Sequence, residues 1–99
     1  GIGEFNTAVR TNRDLIVIIC NDAAYGAEHI QMRDRQMDTS LTEFDWPSFA
    51  AVAVSLGGEG VEVASPDDLE TAIEAINKRQ APIVVELKLD PNQVPGMRM

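Results

Sequence analysis

Residues 15–26 read LIVIICNDAAYG and join an apolar run to a polar loop. The run Leu15–Cys20 is continuous and rich in β-branched residues, which is typical of a strand buried on both faces of a parallel sheet. In an open α/β sheet, ligands bind beyond the carboxyl ends of the strands. The two residues that follow the run, Asn21 and Asp22, are therefore candidates for ligand binding.

Strand and helix patterns alternate along the rest of the chain. Two further apolar stretches predict strands at Val61–Ala64 and Ile83–Leu89. Apolar residues at helical spacing and suitable capping residues predict three helices, which are Glu4–Thr11, Pro47–Leu56 and Ser65–Arg79. Residues 31–45 are polar and aperiodic, so we expect a loop there, or a short helix followed by a loop.

This alternation predicts the fold class and the domain organisation. Helices between strands imply a parallel sheet with right-handed crossovers and a helical layer on each face. We therefore expect an α/β fold with a three-layer, doubly wound, mostly parallel sheet, partial and truncated at its N-terminal side. The 99 residues leave room for one domain. Residues 1–90 are expected to form this partial domain, and residues 91–99 an irregular C-terminal tail.

Composition excludes several classes of function. The chain has 16 acidic and 8 basic residues and a net charge of -8. This balance argues against nucleic-acid binding and against docking on an anionic membrane, since both need clustered basic residues. No apolar run reaches the roughly 18 residues that suggest a membrane span. The single cysteine, Cys20, excludes an internal disulfide framework and fits a reducing compartment, so a cytoplasmic location is expected.

The loop after the first strand suggests half of a metal site. Asn21 and Asp22 offer side-chain oxygens, which hard cations such as Mg²⁺ prefer. The small residues Ala23 and Ala24 would let the backbone approach an ion or a phosphate closely. One such loop cannot complete an octahedral site, and an Asn-Asp pair after a strand also suits a turn or a helix cap.

The order of residues around this loop resembles a known family. Asn21–Gly26 is similar to the second half of the thiamine diphosphate motif, in which a paired Asn-Asn is often followed two residues later by Tyr-Gly. Segments on either side, residues 3–10, 44–53, 57–63, 65–69 and 81–91, follow the pattern of acetolactate synthase-like enzymes. The resemblance covers almost the whole chain, and it is to the C-terminal, diphosphate-binding domain of thiamine diphosphate-dependent enzymes.

The resemblance implies a role for each loop residue. The second member of the Asn pair supplies the side-chain Mg²⁺ ligand and falls on Asp22, an Asp in place of the commoner Asn. The residue two positions on supplies a backbone carbonyl and falls on Ala24. Asn21, Ala23, Ala24, Tyr25 and Gly26 are the implied cofactor-binding residues, with Asn21 shaping the turn. An alignment shifted by one residue would place the side-chain ligand on Asn21 instead.

Glu28 is the one catalytic candidate that the resemblance suggests. In pyruvate decarboxylase-like members, a Glu six residues after the side-chain metal ligand reaches the reacting centre, and Glu28 has that spacing from Asp22. It would act there in proton transfer. The alternative is a solvated Glu near the start of a short helix.

The resemblance also implies the activity of a longer parent protein. The expected parent uses thiamine diphosphate and Mg²⁺ as a lyase or transferase that decarboxylates 2-keto acids or joins them to a second carbonyl. The family's Gly-Asp-Gly half-motif and its catalytic Glu are not in this sequence, so the chain alone is expected to be inactive. The expected partners are the 2-keto acid, the rest of the parent and a second subunit of a homo-oligomer.

Two other functions remain open from the residues. The chain could be a non-catalytic α/β interaction module or partner subunit derived from the same domain, whose bare sheet edge needs a cover. It could also be an unrelated flavodoxin-like receiver domain. A receiver would need an acidic cluster after an early strand and a Lys after a late one, whereas Lys88 lies inside a predicted strand.

Overall fold

The computed structural model describes residues 1–93, so residues 94–99 of the expected tail lie outside the described part. Three strands are present in it: β1 (Ile16–Asn21), β2 (Glu59–Val63) and β3 (Ile83–Lys88). Four α-helices alternate with them: α1 (Ile2–Arg10), α2 (Gly26–Asp34), α3 (Phe49–Ser55) and α4 (Leu69–Lys78). Short 3₁₀ turns lie at Ser40–Thr42 and Pro66–Asp68.

The chain divides into two compact units. The first contains Gly1–Cys20 and Pro47–Lys88, and the second contains Asn21–Trp46 together with the segment that begins at Leu89. The first unit therefore holds most of the sheet and the helices α1, α3 and α4. The second unit holds the loop after β1 and the helix α2.

The sheet has the order β1-β3-β2, and its strands are parallel. Strand β3 is central and pairs with β2 in a register that sets Glu59 opposite Ile83 and Val63 opposite Leu87. On its other side, the N–H of Ile83 donates to the carbonyl of Leu15 at 2.9 Å. The prediction of an α/β fold with a partial, parallel sheet is confirmed.

Helices cover both faces of β3, because successive residues of a strand point to opposite faces. On one face, Phe5 of α1 and Ala53 of α3 pack against Val84. On the other face, Ala72 of α4 packs with Val63 and Val85. The predicted three-layer arrangement follows from this alternation at the central strand.

Strand β1 is not buried on both faces, and that expectation was wrong. Its exposure alternates, with Val17 and Ile19 packed towards α1 and α3 while Ile16 and Ile18 are 41% and 60% exposed. Strand β1 lies at the edge of the sheet, and α4 packs on β2 and β3 instead. The exposed side chains of β1 are nevertheless apolar.

A buried carboxylate fixes the start of α3. Glu86 of β3 is only 1% exposed, and its Oε1 accepts hydrogen bonds from the N–H groups of Phe49 and Ala50 at 2.8 and 3.1 Å. The first N–H groups of a helix have no acceptor inside it, so the carboxylate supplies one and also meets the positive end of the helix dipole. The sequence predicted Glu86 in a strand of alternating apolar and polar residues, but it did not indicate that this carboxylate would accept from the start of α3.

A second, exposed carboxylate supports the same helix from outside. Ser48 is the N-cap of α3, and its Oγ accepts from the N–H of Ala51 at 3.1 Å and donates to Glu62 at 2.6 Å. The hydrogen bond from Ser48 lowers the pKa of Glu62, and Lys88 at 3.5 Å lowers it further, while burial opposes both.

We predict that Glu86→Ala lowers the free energy of unfolding by about 2–3 kcal/mol, because buried N–H groups of α3 lose their acceptor. Urea unfolding followed by circular dichroism measures this change. The matched control is Glu62→Ala, which removes an exposed carboxylate at the same helix end and should cost less than about 1 kcal/mol. Equal losses for the two variants would contradict the assigned role of Glu86.

Candidate functional site

The loop after β1 is shaped by its own two polar side chains. The Asn21 Oδ1 accepts from the N–H of Ala23 at 2.9 Å, and the Asp22 Oδ1 accepts from the N–H of Ala24 at 3.1 Å. Side chains of Asn and Asp commonly bond the backbone two residues on in this way. Ala23 adopts a φ of 54°, a left-handed conformation that costs a non-glycine residue of the order of 1 kcal/mol or more.

The other side of the loop pairs with the segment that follows the 3₁₀ turn at Ser40–Thr42. Ala24 forms an antiparallel bridge with Glu43. The N–H of Tyr25 donates to the carbonyl of Thr42 at 2.8 Å, and the N–H of Phe44 donates to the carbonyl of Ala23 at 2.7 Å. These two bonds hold the loop to residues 42–44 on both sides of Ala24.

This pairing determines where the Ala24 carbonyl points. In an antiparallel pair, a residue that is flanked by the two hydrogen bonds turns its own N–H and C=O away from the partner. The N–H of Ala24 meets the Asp22 carboxylate, so its carbonyl lies on the same side of the loop as that carboxylate. The loop therefore brings together a carboxylate and a backbone oxygen, the type of donors that Mg²⁺ takes.

Gly26 has no side chain, and the Asp22 carboxylate occupies the space that a side chain there would need. A Cβ built at Gly26, the first residue of α2, would lie 2.6 Å from the Asp22 Oδ2. That separation is shorter than real contacts of a Cβ allow. A side chain at this position would therefore push the carboxylate away from the start of α2.

A cavity of about 450 Å³ lies beside this carboxylate, within the second unit. One wall is formed by α2 and the other by the segment after β3. Its lining residues are Asp22, Gly26, Ala27, Ile30, Gln31, Leu89, Asp90, Pro91 and Gln93. The cavity thus contains two of the predicted site residues, Asp22 and Gly26.

The remaining predicted site residues lie around the cavity and not in its lining. Asn21, Ala23 and Ala24 are partly buried in the loop itself. Tyr25 is 58% exposed, and its ring packs edge-on against Phe44 with centroids 4.7 Å apart. Glu28 is exposed on α2 and is absent from the cavity lining, so the structure does not bring it together with Asp22 there. Its catalytic role stays a prediction.

Several residues around the loop were missed by sequence reasoning. Asp90 follows β3 and lines the same cavity as Asp22, and the rule that parallel strands end at one sheet edge could have indicated it. His29 is buried at 3% exposure and bonds Thr42 and Asn92. Because these partners are distant in sequence, no local pattern could have found them.

The described residues contain neither a ready cluster of metal-binding side chains nor a membrane-spanning helix. Residues 1–93 contain no group of three or more His, Cys, Asp or Glu side chains placed to hold a metal ion. The loop itself offers one carboxylate, that of Asp22, and the backbone carbonyl of Ala24 to a cation. None of the helices in this part of the chain is long and apolar enough to cross a membrane.

The fold and the loop define an α/β unit with oxygen donors at the carboxyl end of an edge strand. The sequence model of the family described as "Thiamine pyrophosphate enzyme, C-terminal TPP binding domain" matches residues 1–87, and the chain belongs to this family. It is also 28% identical over 87 residues to an acetolactate synthase of Bacillus subtilis (strain 168). That match covers 88% of this chain but only 15% of the relative's length. The resemblance inferred from the sequence is confirmed.

We predict that Gly26→Ala moves the Asp22 carboxylate while changing the free energy of unfolding by less than about 1 kcal/mol, since the obstructed atom ends a rotatable side chain. The N–H of Ala24 should lose its acceptor, which nuclear magnetic resonance would detect as a shifted and faster-exchanging amide. Gly3→Ala is the matched control, because nothing lies within 4 Å of a Cβ at Gly3. An unchanged Ala24 amide in Gly26→Ala would contradict this geometry.

Proposed function

We propose that the chain supplies part of the Mg²⁺-diphosphate site of a thiamine diphosphate-dependent enzyme that acts on 2-keto acids, similar to acetolactate synthase. The observation that carries the proposal is the pairing of the Asp22 carboxylate with the Ala24 carbonyl on one side of the loop. The family match adds support, because it spans the whole of this loop.

Asp22 fits the metal better than Asn21 does. The Asn21 Oδ1 faces back to the N–H of Ala23, whereas Asp22 keeps its Oδ2 directed to the start of α2. Asp22 also carries a negative charge, which favours a divalent cation. In the proposal, Asp22 and the carbonyl of Ala24 hold Mg²⁺, and Asn21 holds the turn.

The diphosphate would meet backbone groups of the same loop. The first N–H groups of a helix lack acceptors within it, and the helix dipole makes that end attractive to phosphate. Helix α2 begins at Gly26, directly after the metal-binding residues of the proposal. Ala23, Tyr25 and Gly26 would border the diphosphate, and the small side chains leave its approach open.

Thiamine diphosphate, when bound, supplies the carbon nucleophile and electron sink that 2-keto acid decarboxylation and carboligation need. This chain's part is to bind and orient through the loop. Glu28 is proposed to move a proton at the reacting centre, which requires that its exposed carboxyl group faces the substrate in the assembled enzyme. The parent would be a cytoplasmic lyase or transferase and a homo-oligomer, with the rest of the site on other segments and a second subunit.

The second candidate function is a non-catalytic interaction module or partner subunit derived from this domain. The exposed Ile16 and Ile18 on one face of β1 favour it, because exposed apolar side chains are a surface on which another chain can pack. The length of the natural protein separates the two candidates. The enzyme candidate requires a natural chain that is several-fold longer and has a Gly-Asp-Gly upstream of this segment. The module candidate requires a natural chain of nearly the same length as this one.

We predict that Asp22→Ala in the natural protein raises the Mg²⁺ concentration required for thiamine diphosphate binding by at least about 10–100-fold, the loss seen when even an outer-shell partner of a metal is removed. Titration of binding against Mg²⁺ measures it. Asp22→Asn keeps an oxygen ligand and should lose less, and Asp45→Ala, which changes an exposed Asp elsewhere in the second unit, should lose nothing. An unchanged Mg²⁺ requirement in Asp22→Ala would refute the metal assignment.

We also predict that the 99-residue chain by itself binds thiamine diphosphate weakly and has no measurable turnover of 2-keto acids. The reason is that its loop provides two metal donors of the about six that Mg²⁺ takes. Isothermal titration with thiamine diphosphate and Mg²⁺ tests this. Tight, Mg²⁺-dependent binding to the isolated chain would show that the site is more complete than proposed.

A further inference from the structure

The structure contains a closed set of three hydrogen bonds behind the loop. The N–H of His29 donates to the carbonyl of Tyr25 at 2.8 Å. The His29 Nδ1 bonds the Thr42 Oγ1 at 3.0 Å. The carbonyl of Thr42 then accepts from the N–H of Tyr25 at 2.8 Å, which closes the ring. The carbonyl of Tyr25 is thereby bonded by the backbone of His29, and its N–H is bonded by Thr42, the residue that the His29 side chain contacts.

From this ring we infer that His29 is a positioning residue, which fixes Thr42 and so holds the Ala24 carbonyl in place for the metal. The inference rests on the proposed function, and it assigns a role to a residue that does not touch the metal, the cofactor or the substrate. Ala24 precedes Tyr25 and follows Ala23, whose carbonyl is bonded to Phe44. If the pairing at Thr42 loosens, the carbonyl of Ala24 loses its fixed direction.

The direction of the His29–Thr42 bond follows from the hydroxyl's other partner. The Thr42 Oγ1 donates its hydrogen to the carbonyl of Thr39 at 2.7 Å. In the tautomer that carries a hydrogen on Nδ1, the ring of His29 donates to this Oγ1. The Thr42 hydroxyl is thus held between His29 and Thr39. This restrains Thr42, whose carbonyl accepts from the N–H of Tyr25.

The second nitrogen of His29 contacts the segment that follows β3. Its Nε2 bonds the Asn92 Oδ1 at 2.9 Å. Asn92 is held further by Arg33, whose Nη1 donates to its carbonyl at 2.9 Å, and by Asp90, which accepts from its N–H at 2.8 Å. The two nitrogens can therefore be tested separately, because only the Nδ1 bond leads to the loop that contains Ala24.

The variants follow this division of roles. The side-chain amide of an Asn reaches the position of Nδ1, so His29→Asn keeps the bond to Thr42. The side-chain amide of a Gln reaches the position of Nε2, so His29→Gln keeps the bond to Asn92. At the other partner, Thr42→Ser keeps the hydroxyl and Thr42→Val removes it. Ser40→Ala is the control, since it removes from the same 3₁₀ turn a hydroxyl that bonds only the exposed Asp38.

Two measurements on the natural protein test the inference. Hydrogen exchange by mass spectrometry reports the opening of the peptides that cover residues 22–26 and 40–44, without cofactor. Titration reports the Mg²⁺ concentration that thiamine diphosphate binding requires. We expect His29→Gln and Thr42→Val to speed exchange in both peptides and to raise the Mg²⁺ requirement about tenfold or more, as for other residues that orient metal ligands. His29→Asn and Thr42→Ser keep the hydrogen bond between positions 29 and 42, and Ser40→Ala does not touch it, so the Mg²⁺ requirement of these three variants should stay within about twofold of that of the unchanged protein.

The pattern among the variants decides the outcome. If His29→Asn and His29→Gln are equally impaired, or if Thr42→Val matches Thr42→Ser, the positioning role is overturned and His29 is a packing residue. Thr42→Val keeps the test valid should the His29 variants unfold. Asp22→Ala is measured alongside. If Asp22→Ala raises the Mg²⁺ concentration that binding requires while Thr42→Val does not, only this inference fails. If Asp22→Ala changes nothing, the proposed function itself fails.

Discussion

The central strand β3 is the element on which the rest of the fold depends. Val84 and Val85 point to opposite faces, so each helical layer packs on the same strand. Glu86, the next residue along the strand, accepts hydrogen bonds from the first N–H groups of α3 and so fixes where that helix begins. The parallel pairing with β1 continues to the N–H of Leu89, which donates to the carbonyl of Asn21 at 2.8 Å. Two loops therefore begin side by side at the carboxyl ends of β1 and β3.

The candidate site is built by local rules and by one long-range contact. Asn21 and Asp22 shape their own loop, because each bonds an N–H two residues further on. The pairing with Thr42 and Phe44 then sets the direction in which the Ala24 carbonyl points. A carboxylate alone would suit many turns. It is the combination with a fixed backbone oxygen that makes a metal role chemically reasonable here.

The sequence predicted the order of strands and helices well because that order depends on periodicity. It was wrong at β1, where an apolar run does not reveal that the exposure alternates and that Ile16 and Ile18 are exposed. For residues 31–45 it allowed a short helix followed by a loop, and α2 begins earlier, at Gly26. Within the site, the resemblance predicted Asp22 and Ala24 as metal ligands, while His29, Thr42 and Asn92 meet only through tertiary contacts. No spacing rule in the sequence relates residues that are joined across 13 and 63 positions.

The most direct test of this account is a crystal structure of the natural protein with thiamine diphosphate and Mg²⁺ bound. We predict that an Asp22 carboxylate oxygen and the Ala24 carbonyl oxygen both lie about 2.0–2.1 Å from the ion, the distance Mg²⁺ demands of its ligands. The diphosphate should then share the same ion at the start of α2. A metal ligated by the side chain of Asn21 instead, or by no residue of this loop, would contradict the account.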